Sequence, residues 1–146
     1  MKKLFIAAAM LVAVSTAAVA AGTSTNSKAF KSFSTEFKDA KNVTWKTGEG
    51  YIKASFVWND FNMETFYNEE GELIGTSRAV TLNALPVKAL KTINTKYAGY
   101  TATEAIEFDS VQDGVSYYVS EVKDNERVVL KIYSSGEVTV YKKEVK

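Results

Sequence analysis

Glu69, Glu70 and Glu72 lie within four residues of one another in the stretch FYNEEGELIG, Phe66 to Gly75. Carboxylates this close could hold a metal ion or share acid and base roles, and two carboxylates flanking a glycosidic bond can hydrolyse it. Such chemistry needs a pocket that raises a pKa and excludes water. The same stretch also reads as a turn between two strands, with Gly71 where positive φ is required. Composition closes other routes. The 146 residues include no Cys and no His. There is therefore no Ser-His-Asp triad, no Cys nucleophile, no His base and no zinc site of the usual Cys/His kind. DSVQDG, Asp109 to Gly114, lacks the alternate oxygen ligands and distal bidentate Glu of a calcium loop. It reads as a hairpin signal. The expectation is a chain with no catalytic residues, no metal and no cofactor, and not an enzyme.

The N-terminus addresses location. Lys2 and Lys3 precede an uncharged apolar run from Leu4 to Val14, and Ala18-Val19-Ala20 supplies the small-x-small pattern of a signal peptidase site. The apolar core is too short for a membrane span and a polar segment follows, so this is a secretory signal peptide. Cleavage is expected after Ala20, with Ala21 the alternative, and the absence of Cys excludes a lipoprotein. The product is a periplasmic or secreted protein with no stable membrane insertion. Losing Lys2 and Lys3 from 18 basic residues leaves 16 against 17 acidic ones, a net charge near −1. That balance gives no general pull on nucleic acid or anionic lipid. Without disulfides, packing alone must hold the exported fold.

Any site depends on the elements that position it, and these repeat. Turn-like pairs Glu49-Gly50, Asn59-Asp60 and Glu70-Gly71 are spaced by about 11 residues, and Asp113-Gly114, Asp124-Asn125 and Ser135-Gly136 follow about 65 residues later. The runs between them read as antiparallel strands at 43–47, 51–58, 61–69 and 72–80, then 101–109, 115–123, 126–134 and 137–144. Phe30, Phe33 and Phe37 share a helical face, and Leu90, Ile93 and Tyr97 repeat the spacing 60 residues on. Pro86 and Gly99 suit the start and end of the second helix. The fold class is α+β: two tandem units of one helix plus a four-stranded antiparallel sheet, in a continuous sheet with helices on one face and the other face open. The domain boundaries are 1–20 signal peptide, 21–28 disordered, 29–81 first unit and 82–146 second unit.

Aligning the units pairs Ile52 with Tyr117, Ala54 with Val119, Met63 with Val128, Tyr67 with Ile132 and Leu73 with Val138; these face the helices. Alternation sends Tyr51, Lys53, Phe66, Arg78, Tyr118, Lys131, Tyr133, Tyr141 and Lys143 to the opposite face. Tyr51, Phe66, Tyr118, Tyr133, Tyr141, Lys53 and Lys131 are the candidate partner-binding residues, since tyrosine gives large contact area with few rotors and a polar tip. Tyrosine also simply suits half-exposed strands. Trp45 and Trp58 are expected to cap the core edges, and KKEVK at the C-terminus to be a solvated, Lys-protected strand end.

FKSFSTEFKDAKNVTW, YIKASF, FYNEEGELIG, LPVKALKTINTKYAGY, VSYYVSEV and IYSSGEVTVY together resemble the beta-lactamase-inhibitor-like, PepSY-like family of small exported proteins, common in Bacteroidetes. The resemblance runs from Ala29 to Tyr141. It implies tandem helix-plus-sheet units whose open sheet face binds a partner, and no catalytic set. Two functions stay in view: a non-enzymatic periplasmic binding or inhibitor-like module that contacts a protein or envelope partner, and a structural or stress-related envelope protein without a specific ligand.

Overall fold

Asn59 and Asp60 both hold positive φ, 49° and 65°. Two consecutive left-handed residues make the turn that matches strand twist, so the chain reverses in two residues and Trp58 pairs with Phe61. Local reversals of this kind set the whole element order. The structure, a computed structural model, describes residues 27–146. Helix α1 (Ser27–Glu36) is followed by β1 (Lys41–Gly48), β2 (Tyr51–Trp58), β3 (Phe61–Tyr67) and β4 (Leu73–Ala79). A 3-10 turn (Leu82–Ala84) leads to helix α2 (Val87–Lys96), then β5 (Thr101–Ser110), β6 (Gly114–Lys123), β7 (Glu126–Tyr133) and β8 (Val138–Val145). The eight strands follow one another in sheet order, giving an antiparallel α+β fold. Helix α1 starts inside the 21–28 segment expected to be disordered. The signal peptide and its cleavage site at Ala20 lie outside the described residues.

The chain divides into two compact units. One holds the described residues to Arg78 with Ser110–Gln112; the other holds Ala79–Asp109 and Asp113–Lys146. In the first, Ala29, Phe33 and Phe37 pack on Ile52, Ala54, Phe56 and Tyr67. The buried stripe thus runs i, i+4 along α1 from Ala29 to Phe33 and continues to Phe37, just past the helix end. Phe30 falls at its edge, 51% exposed and against Trp45. Trp45 stacks beside Phe33 and Tyr67, and Trp58 meets Phe37 edge-on, so both tryptophans pack at the core margin. In the second unit Leu85, Ala89 and Ile93 cover Ala105, Val119, Val128, Leu130 and Ile132, with Leu90 and Tyr97 at the margin. All ten positions paired between the units in the sequence belong to these two helix-covered clusters.

Two bulges change the parity of the last strand in each unit. The register of β3 on β4 shifts between Phe66 and Tyr67, and that of β7 on β8 between Val129 and Leu130. Arg78 therefore pairs with Met63 and Lys143 with Val128, both on the helix-covered side. Strict alternation had put them on the other face; the extra residue of a bulge reverses it.

Candidate interaction surface on the strand faces

In the first unit, register places Lys53 directly opposite Phe66, and the Tyr51 ring lies 5.8 Å from that of Phe66. The three residues meet as expected, but they do not form an accessible platform. Phe66 is 0% exposed. The Lys53 ammonium donates to Glu64 Oε1 at 2.6 Å, and Ser55 Oγ donates to the same oxygen at 3.2 Å. The Lys53 side chain is 13% exposed, so its charge is committed to Glu64. Burial, and then the Glu64 charge, hold the Tyr51 phenol above its ordinary range. The Tyr51 ring covers Gly48, its cross-strand partner: a Cβ at Gly48 would lie 2.1 Å from the ring. Glu64 was missed because it matters only as a cross-strand neighbour, which one strand's alternation does not reveal.

In the second unit Tyr118 stands opposite Lys131, and Ser116 opposite Tyr133. The Lys131 ammonium lies 5.0 Å from the Tyr133 ring centroid and 5.9 Å from that of Tyr118. Both distances suit cation–π attraction. Tyr141 meets Tyr118 edge-on at 5.3 Å. Tyr118 is buried, 5% exposed, and forms the floor, while Tyr133 is 40% exposed. Of the seven expected contact residues, this unit gathers Tyr118, Lys131, Tyr133 and Tyr141, and Tyr133 offers the most open surface. On the same face Arg127 Nε donates to Ser120 Oγ at 2.8 Å, and its guanidinium lies 3.9 Å from both Glu104 and Glu144. A hydrogen bond from Lys142 holds the Glu144 carboxyl below its usual range.

A second polar group surrounds the β6–β7 turn. Tyr100 Oη donates to Glu126, Lys143 Nζ reaches Glu126 at 2.8 Å, and Lys123 lies over the Tyr100 ring. Hydrogen bonds from Lys143 and Tyr100 lower the Glu126 pKa, and the bond to Glu126 raises that of Tyr100. A shallow depression of about 320 Å³ is lined here by Tyr100, Lys123, Asp124, Asn125, Glu126 and Val145. Lys143 and Lys123 both act on Glu126 there.

The glutamates of FYNEEGELIG sit on an exposed turn. Asn68 organises it: its Oδ1 accepts from the Glu70 and Glu72 amides at 3.1 and 2.8 Å, and its Nδ2 donates to Glu72 at 2.8 Å. Among the described residues no group of three or more His, Cys, Asp or Glu side chains could hold a metal ion, and no helix is long and apolar enough to cross a membrane.

No family model and no curated protein matches the chain. Solved structures do. A DUF2874 family protein from Bacteroides uniformis superposes with a TM-score of 0.71 at 13% identity, covering 81% of this chain and 87% of its own. A BLIP-like protein from Bacteroides fragilis gives 0.69 at 13%, covering 82% and 86%. A protein of Bacteroides eggerthii described as a candidate periplasmic protein gives 0.72 at 13%, covering 81% and 86%. At such identities the likeness is one of fold. The chain has the fold of these Bacteroides DUF2874 and BLIP-like proteins, as the resemblance to beta-lactamase-inhibitor-like proteins implied.

Proposed function

We propose that the chain is a non-enzymatic, exported binding or inhibitor-like module that contacts a protein or envelope partner through the strand face of its second unit. Its architecture is read as two tandem helix-plus-sheet units of the PepSY-like kind, delivered to the periplasm by the N-terminal signal and cut after Ala20. The observation that carries the reading is Lys131, held between the rings of buried Tyr118 and exposed Tyr133, with Tyr141 alongside. Tyrosine is enriched at interface centres, so the rings supply the contact area and Lys131 adds a charge among them. In the first unit, Tyr51, Lys53 and Phe66 serve packing. The BLIP-like neighbour supports a protein as the partner. Enzymes are disfavoured because the clustered glutamates lie on an open turn.

The test is chemical crosslinking in the native periplasm, comparing the wild type with a Lys131→Gln/Tyr133→Ser double variant whose circular dichroism is unchanged. A specific species trapped by the wild type and lost in the variant is expected. A species trapped equally by both would move the interface elsewhere. No specific species at all would favour a structural or stress-related envelope protein without a specific ligand.

A further inference from the structure

The cations beside Lys131 are matched within the chain. Arg127 faces Glu104 and Glu144 at 3.9 Å, and Lys142 meets Glu144 at 2.5 Å. Lys131 is different. Its ammonium has the Tyr118 and Tyr133 rings for neighbours, and among the described residues no carboxylate lies within ion-pair distance of it. Ring quadrupoles attract a cation without neutralising it, so the full charge stays available. Its ammonium lies 5.9 Å from the ring of buried Tyr118. Contact by a partner would also dry the site, and a charge pair strengthens as the local dielectric falls.

The surroundings select the kind of anion. A phosphate or sulfate group is best held by several donors, often a guanidinium fork. Here there is a single ammonium among tyrosines, and the other cations of the face are occupied. That combination fits one carboxylate with apolar or aromatic groups beside it, which is how an Asp or Glu on a protein loop presents itself. We infer that the partner is a protein that places an acidic side chain against Lys131, with its flanking residues on Tyr133 and Tyr141. This inference rests on the binding reading of the same face.

Two crosslinkers separate the two ideas. The full mature chain carrying a photo-activated benzoylphenylalanine at position 133 traps whatever docks there. Carbodiimide, in contrast, joins an amine to a carboxylate with loss of water only where the two already touch. The expected result is a photo-adduct with one periplasmic protein, and a carbodiimide adduct with the same protein. Peptide mapping should place the second between Lys131 and an Asp or Glu. Lys131→Arg should abolish the carbodiimide adduct, since guanidinium does not couple, and keep the photo-adduct. Lys131→Gln should weaken binding of the identified protein about tenfold or more. A photo-adduct without any carbodiimide linkage at Lys131 would overturn the acidic-partner inference and leave the binding face standing. Coupling of Lys131 to a carboxylate of its own chain would do the same. Absence of both adducts would remove the binding face as well.

Discussion

Glu121 shows how far a single residue can be from what its type suggests. It lies on β6, opposite Val128 and two residues from Val119, so it faces the apolar cluster under α2. It is 2% exposed, and burial raises its carboxyl pKa. A raised native pKa means that the unfolded chain releases this proton first as pH climbs. Its stability contribution is therefore full below the unfolded carboxylate range and declines as pH rises toward the native value. Glu121→Gln, a neutral isostere, should raise the urea midpoint at pH 8 and converge with the wild type near pH 4. A variant less stable than wild type at pH 8 would show that the charge is compensated. Nothing local in VSEVK marks this residue as buried; the parity set by Tyr117 and Val119 does, once extended two residues further. Lys53 is the converse case. The sequence placed it on the correct face, and its use was settled by Glu64 on the neighbouring strand.

At the scale of elements the sequence was most legible, because turns and periodicity are local properties. The strand ends fell within a few residues of their positions, and the helix-facing set followed from comparing the halves. What alternation could not carry was the bulge in each unit, which moved Arg78 and Lys143. The glycine that opens each last strand also does more than its turn requires. Gly71 and Gly136 hold φ of 81° and 83°, as a left-handed turn residue must. Each is in addition the spot on which the preceding helix lands. A Cβ at Gly71 would lie 2.5 Å from Lys28 Cβ and 2.8 Å from the Ala29 amide nitrogen, and one at Gly136 would lie 2.8 Å from Lys88 Cβ. Ser32 Oγ seals the first contact by donating to the Gly71 carbonyl at 3.0 Å. Strain and collision act together, so Gly71→Ala should cost about 2–4 kcal/mol in chemical denaturation, more than the about 1–2 kcal/mol of a left-handed residue alone. Gly114 has similar φ but nothing within 4 Å of its Cβ position. Gly114→Ala therefore isolates the backbone cost and should be milder; equal losses at the two sites would show that helix contact contributes nothing.

At the scale of the molecule, the two cores differ in composition. The first is aromatic and carries both tryptophans, while the second is aliphatic with no tryptophan. Tryptophan emission therefore reports the first unit, whereas the far-ultraviolet signal reports strands of both. The chain is not partitioned so cleanly. Ser110–Gln112 belongs to the first unit although the residues on either side belong to the second. Val111 is fastened there by its amide, which donates to the Ile74 carbonyl at 3.0 Å. With no disulfide to hold a partly opened state, a single cooperative transition is expected, as for most domains of this size. Leu130→Ala supplies the test, because Leu130 is fully buried in the second core and far in sequence from either tryptophan. It should destabilise by about 2–5 kcal/mol. The loss should appear equally in tryptophan emission and in circular dichroism. A tryptophan transition that stays at its wild-type midpoint while the dichroism shifts would mean that the units melt separately.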